Sequence, residues 1–408
     1  MSLRGRFSRT FSSLKHRDFL ILWSGTVVSN SGDWMDQIAL NWLVLEITDS
    51  PLSLGLVNLW RGIPVLILTP LGGVAADRWE RRRILMVTQS MYMVLAFVLG
   101  ALVTTGLVNI WEIYVIAALR GGLMSFNMPA RQSMISDLVP RKDLSNAIAL
   151  NSATIHLTRV LGPSLGGVLI AMLGIDWLFY LNGVSFLAIL YTLHLLADVG
   201  TQRKVANHWQ ELKDGFAYIG RNRTLLYLVM LAVVPMFFGQ PYMTMLAVFA
   251  RSILEIGPAG LGLLTSVASL GAVTGALAVA GLRRGPRIGM MIGGIIVFGL
   301  SLFLFSFSRW LVPSLIFLFL AGGANVFYNS TNNALIQMSV EDNYRGRVLS
   351  MLFINRGLVP LGTAFTGLLA ENMGAPAALG AMSMMLVFLG GIALMMRPRR
   401  SPVSPGER

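Results

Sequence analysis

The sequence predicts an all-α membrane protein of twelve transmembrane helices in two six-helix repeats. Of the 408 residues, 55% are hydrophobic and 12% are charged, whereas soluble domains carry about 25% charged residues. Runs of about 20 apolar residues, each long enough to cross the hydrocarbon core, recur along the chain. Two short motifs are repeated roughly 200 residues apart. These three observations together predict the fold class.

The predicted spans are expected to be helical, because a helix satisfies all its backbone hydrogen bonds within one segment in lipid. They lie near residues 18–46, 53–76, 84–105, 111–130, 145–173, 177–197, 225–249, 259–282, 288–307, 311–336, 347–369 and 376–396. The predicted domains are a cytoplasmic tail at 1–17, an N-terminal half at 18–197, a cytoplasmic linker at 198–224, a C-terminal half at 225–396 and a cytoplasmic tail at 397–408.

The positions of the basic residues predict the orientation. All but six of the 32 lysines and arginines fall in tails and turns on one side of the spans. Basic residues favour the cytoplasmic side, so both termini are predicted to be cytoplasmic. The net charge of +13 is therefore expected to anchor spans at anionic lipid rather than to bind nucleic acid. The six exceptions are Arg251 and Arg309 on the other side and Arg61, Arg120, Arg159 and Arg356 inside spans.

The composition argues against an enzyme and against a bound metal or other cofactor. The chain has no cysteine and four scattered histidines, which leaves little for a metal centre. The 42 glycines are spread through the spans rather than clustered as a phosphate cradle. The basic N-terminal tail lacks the short apolar core of a signal peptide.

Repeated motifs indicate that the two halves are related. "RGGLMSF" at 120–126 matches "AGGANVF" at 321–327, and "RVLGP" at 159–163 matches "RGLVP" at 356–360. Two six-span halves with the same orientation imply parallel repeats about an axis along the membrane normal. In the linker, helical spacing fits either an interfacial helix or a plain connector. The spaced residues are Trp209, Leu212, Phe216 and Ile219.

The turn between spans 2 and 3, "GGVAADRWERRRIL", combines glycines with carboxylates and arginines. Glycine permits close helix approach where span 2 ends. A topology anchor needs only basic residues, so the mixed charge favours a gate latch over a plain anchor. The latch residues are Gly73, Asp77, Arg78, Arg81 and Arg82.

This loop resembles the signature cytoplasmic loop of the major facilitator superfamily, although Ala75 and Glu80 depart from the signature. Together with "FNMPARQSMISDLVPRKDLSNAIALNSA" and "LTRVLGPSLGGVLIAMLG", it is similar to the branch that contains enterobactin exporters and macrolide efflux proteins. The resemblance covers nearly the whole chain and implies the major facilitator fold. It also implies that Asp77 meets the positive N-terminus of span 11, near Gly346, and helps to close the cytoplasmic side.

The segment "GPSLGG" in span 5 contains Gly162, Pro163, Gly166 and Gly167. Proline removes a backbone donor and small residues allow close packing, so a packing kink is one interpretation. The resemblance supplies another, because a Gly-Pro motif in span 5 is typical of the superfamily's antiporters and implies export.

Charges inside the spans are the candidates for proton coupling. Asp33 and Asp36 share one side of span 1, and a charge at that depth must face a cavity or a partner. A low-dielectric environment favours the protonated form of a carboxyl group, which helps it to exchange protons. Asp36 lies deeper in regular helix and is the stronger candidate. In the alternative interpretation, Gly32 breaks the helix and Asp33 caps the helical segment that follows. Arg120 resembles the span-4 arginine of the superfamily's second motif, which implies a part in proton transfer.

Four other polar side chains in the spans have expected roles of their own. Arg159 and Arg356 occupy equivalent places in the two repeats, where they either bind carbonyls beside their prolines or serve transport. Arg61 lies nearer the outer end of span 2 and is expected to snorkel. His156 is expected to be hydrogen-bonded in a packed position, with titration near neutral pH as the alternative.

These features predict a secondary transporter in the bacterial cytoplasmic (inner) membrane. It is expected to export a small amphipathic molecule, drug or siderophore-like, by alternating access in exchange for protons. An importer or uniporter of a small metabolite on the same fold is the alternative. The expected partners are the substrate, protons and membrane lipids, with no nucleic acid, and the chain is expected to act as a monomer.

Overall fold

The computed structural model describes residues 12–196, 217–282, 285, 287–341 and 357–396, and every regular element within them is helical. A short 3-10 helix, Ser12–Lys15, comes first. The long helices of the described residues are numbered by the predicted spans. They are α1 (Arg17–Thr48), α2 (Pro51–Arg78), α3 (Arg81–Thr104), α4 (Ile110–Leu138), α5 (Leu144–Leu173), α6 (Ile175–Leu195), α7 (Arg223–Ile253, interrupted by a turn at 239–241), α8 (Gly257–Ala280), α9 (Ile288–Phe307), α10 (Leu311–Ser339), α11 (Leu358–Met373) and α12 (Ala375–Met395).

The predicted fold class is confirmed, because each predicted span overlaps one of these helices, with residues 347–356 of the eleventh span outside the described residues. Among the residues that the structure describes, nine helices have the length and apolarity to cross a bilayer. Most of the linker segment predicted to be an interfacial helix or a connector lies outside the described residues. Its last apolar residue, Ile219, is described and buried.

Helix α1 runs without a break through Gly32 and Asp33, so the interpretation of Asp33 as a helix cap is wrong. Gly32 is needed for packing instead, since a Cβ there would lie 2.3 Å from the hydroxyl oxygen of Ser185 on α6. Two turns earlier, a Cβ at Gly25 would lie 2.5 Å from the hydroxyl oxygen of Thr192. The glycines therefore let α1 lie directly against α6, while the helix keeps its own hydrogen bonds.

The chain forms two compact units that do not follow the sequence order strictly. The first comprises Met1–Leu43 and Ile63–Ala206, and the second comprises Val44–Gly62 and Asn207–Arg408. The second unit thus includes the hairpin that joins α1 to α2. As a result, α1 and α2 each contribute to both units. The boundaries of the two repeated halves stay a prediction.

Both units use glycine to bring two helix backbones into contact. In the first, a Cβ at Gly72 of α2 would lie 1.9 Å from the carbonyl oxygen of Ser125 on α4. In the second, a Cβ at Gly322 of α10 would lie 1.8 Å from the carbonyl oxygen of Ala268 on α8. Such approaches supply the van der Waals contact that holds helices together in lipid, where the hydrophobic effect does not.

The N-terminal segment is bound to the turn before α5. The Asp143 carboxylate accepts a hydrogen bond from the Ser12 hydroxyl and contacts Nε2 of His16, both at 2.9 Å. The Ser13 hydroxyl donates to the Asn146 amide oxygen at 2.7 Å. The bonds from His16 and then Ser12 hold the pKa of Asp143 below its usual range. A lowered carboxyl pKa stabilises the folded form at pH values above the ordinary pKa, and this contribution of Asp143 is lost as the pH falls through the lowered value.

Alanine substitutions at two adjacent glycines are expected to have opposite outcomes. Gly72→Ala places a Cβ against the backbone of α4 and is expected to cost about 1–3 kcal/mol. Gly73→Ala is the matched control, because a Cβ there has no neighbour within 4 Å. Thermal unfolding of the detergent-purified variants measures the difference. Equal melting temperatures for the two variants would show that the backbone contact is absent.

Candidate functional site

A buried ion pair joins α1 to α4 in the first unit. Asp36 is 4% exposed and Arg120 is 9% exposed. The guanidinium binds the carboxylate through two atoms, with Nη1 at 2.5 Å from Oδ2 and Nη2 at 3.1 Å from Oδ1. Bidentate, charge-assisted bonds of this kind are stronger than neutral hydrogen bonds and fix orientation. The structure therefore brings together two residues that the sequence identified separately.

The depth of each residue in its helix explains the pairing. Asp36 lies about 28 Å from the start of α1, and Arg120 lies about 15 Å from the start of α4, which runs in the opposite direction. The Tyr92 hydroxyl donates to the carbonyl of Arg120 at 3.0 Å and so ties α3 to this level. Nε of Arg120 is buried without a hydrogen-bond partner. The pair therefore lies well inside the membrane-spanning part of the unit.

Asp33 lies near the same arginines but in a different environment. Its side chain is exposed, whereas that of Asp36 is buried. Asp33 interacts electrostatically with both Arg120 and Arg131. The two carboxylates are therefore distinct in exposure and in pairing, although they share one side of α1.

Arg131 is a residue that the sequence analysis misplaced. It was counted among the basic residues of the turn after span 4, but α4 continues to Leu138 and includes it. Its Nη1 donates to the amide oxygen of Asn30 on α1 at 3.3 Å. The apolar run ends near Arg131, so the sequence did not show that the helix continues to Leu138. A usable signal was present, because the buried residues of this last part recur at helical spacing: Ala130, Met134, Ile135 and Leu138.

The Gly-Pro segment of α5 packs against the part of α1 that carries the carboxylates. A Cβ at Gly162 would lie 2.5 Å from the Cβ of Trp34. A Cβ at Gly166 would lie 3.1 Å from the Cα of Met35. Pro163 and Gly167 are buried in the same helix. The segment thus has the packing role that one interpretation assigned to it. Its part in export stays a prediction.

The remaining charges in the spans have separate surroundings. The Arg159 guanidinium lies 5.5 Å from the ring centroid of Trp34 rather than at the carbonyls beside the proline. Arg61 is half-buried in α2, and Arg356 lies outside the described residues. His156 lies on an exposed face of α5, so the expectation of a packed position is wrong. The expectation failed because a single histidine in an apolar run does not show which face of the helix is packed.

Two arginines of the charged loop bind helix ends within the first unit. Arg81 forms an ion pair with Asp137 near the end of α4 and donates to the carbonyl of Ser133 at 3.4 Å. Arg82 donates to the carbonyl of Leu193 at 2.8 Å and to that of the next residue, at the end of α6. Cations are favourable at helix C-termini, where the last carbonyls lack helical donors. Asp137 was not predicted as a member of this cluster.

The other predicted latch residues are placed as follows. Gly73 borders open space, Asp77 is half-buried, and Arg78 is exposed. The predicted partner of Asp77, the start of span 11 near Gly346, lies outside the described residues. The closing role of Asp77 therefore stays a prediction. Within the described ranges, no group of three or more His, Asp or Glu side chains could hold a metal ion.

Comparison with known proteins gives matches over nearly the whole chain. A family model described as "Transmembrane secretion effector" matches residues 8–403. The staphyloferrin A transporter of Staphylococcus aureus is 27% identical, over 84% of this chain and 87% of the relative. The multidrug efflux pump Tap of Mycolicibacterium fortuitum is 24% identical, over 94% and 96%. Macrolide efflux protein A of Streptococcus pyogenes is 22% identical, over 87% and 90%.

Solved structures share the fold at low sequence identity. A bacterial homologue of the human lysosomal transporter Spinster aligns with a TM-score of 0.78 at 14% identity, covering 96% of this chain and 99% of that one. The nucleoside transporter NupG aligns with a TM-score of 0.74 at 14% identity, covering 94% and 100%. At such identity the likeness establishes the fold alone.

Reversal of charge at Arg81 or Asp137 is expected to destabilise the first unit, and the exchanged pair is expected to recover stability. Arg81→Asp or Asp137→Arg puts like charges in contact and should cost about 1–3 kcal/mol, whereas the double variant restores attraction. Thermal unfolding measures the recovery. Glu80→Gln is the control, because its partner Arg83 is exposed and such pairs contribute little. Additive losses in the double variant would contradict the pairing.

Proposed function

The chain belongs to the transmembrane secretion effector family of the major facilitator superfamily, and we propose that it exports a small amphipathic molecule in exchange for protons. The membrane is the bacterial cytoplasmic membrane, with both termini in the cytoplasm. The protein works as a monomer by alternating access. The observation that carries the proposal is the buried Asp36–Arg120 ion pair.

The ion pair is suited to proton coupling because its two states differ in charge and in contacts. Ionised, Asp36 holds Arg120 through two hydrogen bonds. Protonated, the carboxyl loses its charge and most of its attraction for the guanidinium, so α1 and α4 lose a strong contact. A proton thereby biases the equilibrium between conformations, provided that it binds one of them more tightly. We propose that Asp33, which is exposed one turn away, passes the proton to Asp36.

The proposed direction and substrate class are supported by the relatives and by one sequence motif. The three relatives named above are a siderophore transporter, a multidrug efflux pump and a macrolide efflux protein. The Gly162–Pro163 motif resembles that of antiporters in the superfamily. Both features favour export of a drug or siderophore-like molecule over import. We expect the basic turns to contact membrane lipid. We expect no nucleic-acid partner.

Asp36→Asn is expected to abolish coupled transport, and transport is compared per amount of folded protein because loss of the carboxylate charge leaves the buried Arg120 uncompensated. Inverted membrane vesicles with an acidified interior are loaded with a pH-sensitive dye, and a macrolide, ethidium and a carboxylate siderophore are added in turn. The wild type should release protons with at least one compound. The variant should release none, because an amide neither binds nor yields the proton.

Asp176→Asn is the matched control, since that carboxylate lies at the start of α6, away from the ion pair. Proton release by Asp36→Asn at the wild-type rate would contradict the role of the ion pair. Wild-type transport that ignores the pH gradient would indicate a uniporter. Uptake in the opposite direction would indicate an importer.

A further inference from the structure

The guanidinium of Arg159 is placed deep in the membrane-spanning part of α5 without a carboxylate partner among the described residues. It lies about 22 Å from the start of the helix. Its contact is the ring of Trp34, and its Nε is buried without a hydrogen-bond partner. A charge at this depth is costly unless it faces a cavity or a counter-charge.

A second guanidinium lies against the same face of α1. Arg131 donates to Asn30, which is one helical turn before Trp34, so the two arginines contact α1 about 6 Å apart along its axis. No ion pair within 4 Å is formed by either arginine in the described part of the chain. The carboxylate of Asp36 is occupied by Arg120.

We propose that Arg131 and Arg159 form a subsite for carboxylate groups of the transported molecule. This stretch of the first unit holds three arginines against two aspartates, so it carries a net positive charge when both aspartates are ionised. Guanidinium groups bind carboxylates with strong, directed hydrogen bonds. The ring of Trp34 holds the Arg159 guanidinium in place by a cation–π contact.

An anionic substrate also suits export. The interior of a cell is electrically negative, so the membrane potential itself favours outward movement of an anion. The subsite uses residues other than the Asp36–Arg120 pair, and it is linked to the proposed proton path by the electrostatic interaction of Arg131 with Asp33. This inference rests on the proposed function only in that the chain must transport a small molecule.

Binding of simple carboxylates to the purified protein tests the subsite without any need for transport. Benzoate, succinate and citrate are titrated while the intrinsic tryptophan fluorescence is recorded, with tetraphenylphosphonium as a cationic comparison. The wild type should bind at least one carboxylate saturably. Arg159→Gln should weaken that binding roughly tenfold to a hundredfold, and Arg159→Lys should lose less.

Arg61→Gln is the matched control, because Arg61 is also an arginine within a span but belongs to the second unit. Its carboxylate affinity should equal that of the wild type. The subsite is ruled out if no carboxylate binds the wild type, or if Arg159→Gln binds as tightly as the wild type. Carboxylate binding by a protein that moves no protons would leave the subsite standing and reject the proposed antiport.

A different part of the molecule, within the second unit, carries an independent inference. The hairpin between α1 and α2 is bound to the end of α11 by Glu371. That carboxylate accepts hydrogen bonds from the Ser50 hydroxyl at 2.8 Å and from the Leu52 backbone N–H at 3.3 Å. Leu52 lies in the first turn of α2, where free N–H groups give a helix partial positive charge.

The same hairpin makes a second charged contact. Asp49, with a left-handed φ of 48°, lies 3.4 Å from Nη2 of Arg251. Arg251 is part of a π-helical turn, Phe249–Ile253, at the end of α7. Such turns occur frequently at functional positions. Asp49 in the turn thus contacts the basic Arg251, and the positive start of α2 contacts the acidic Glu371.

Glycine allows the helices to meet closely behind these charges. A Cβ at Gly367 of α11 would lie 2.7 Å from the carbonyl oxygen of Pro51, and one at Gly55 of α2 would lie 2.8 Å from that of Thr363. We infer that the hairpin is an outer latch, closed in this structure and opened when substrate leaves. Exposed charged contacts are weak enough to break within a transport cycle.

A reversible cross-link tests the latch, and the absence of native cysteine makes the background clean. The pair Leu52→Cys and Gly367→Cys joins positions where the added Cβ lies 3.2 Å from the opposite Cα. Oxidation should stop transport, and reduction should restore it. The control pair Gly299→Cys and Val387→Cys joins α9 to α12 within the same unit and should leave transport unchanged when oxidised.

A second readout does not depend on transport. The single variant Leu52→Cys is labelled with a membrane-impermeant maleimide, with and without Glu371→Gln. Loss of the carboxylate should speed labelling roughly two- to fivefold. Unchanged labelling, or full transport by the oxidised Leu52–Gly367 pair, would overturn the latch.

Discussion

The Asp36–Arg120 ion pair is the interaction on which the arrangement of the first unit depends. Two opposite charges buried at membrane depth are tolerated only together, because the loss of either leaves the other uncompensated. A bidentate contact also fixes the depth and rotation of α1 relative to α4. The close approaches at Gly32 and Gly162 hold α1 against α6 and α5, and so keep its charged side in position.

Two kinds of contact between helices differ in strength in this protein. Glycine-mediated packing between helix backbones, as at Gly72 and Gly322, is short-ranged and resists separation. Charged contacts at helix ends, such as those of Arg82 and Glu371, are partly hydrated and weaker. A transporter that alternates between conformations needs both kinds, because helices must stay packed within a unit while other contacts break. The placement of charge at helix ends and of glycine within helices fits that requirement.

Several features could be predicted from the sequence, and others could not. The spans follow from apolar length, and the carboxylates of span 1 stand out because charge is rare in lipid. The continuity of α1 through Gly32 was missed, because only the neighbouring α6 explains that glycine. Arg131 was misplaced because its helix outlasts the apolar run. Asp137 escaped notice because a single carboxylate in a polar segment carries no signal without its partner.

The sequence by itself determined the membrane setting, the number of spans and the residues with unusual charge. These depend on local composition and on the length of apolar runs, which each segment carries alone. The tertiary structure decided which partner each charged side chain meets: Asp36 meets Arg120, Arg81 meets Asp137, and Arg159 meets the ring of Trp34. Such pairings depend on the depth and rotation of helices that are distant in the chain, and these are set by packing between helices rather than by any one helix.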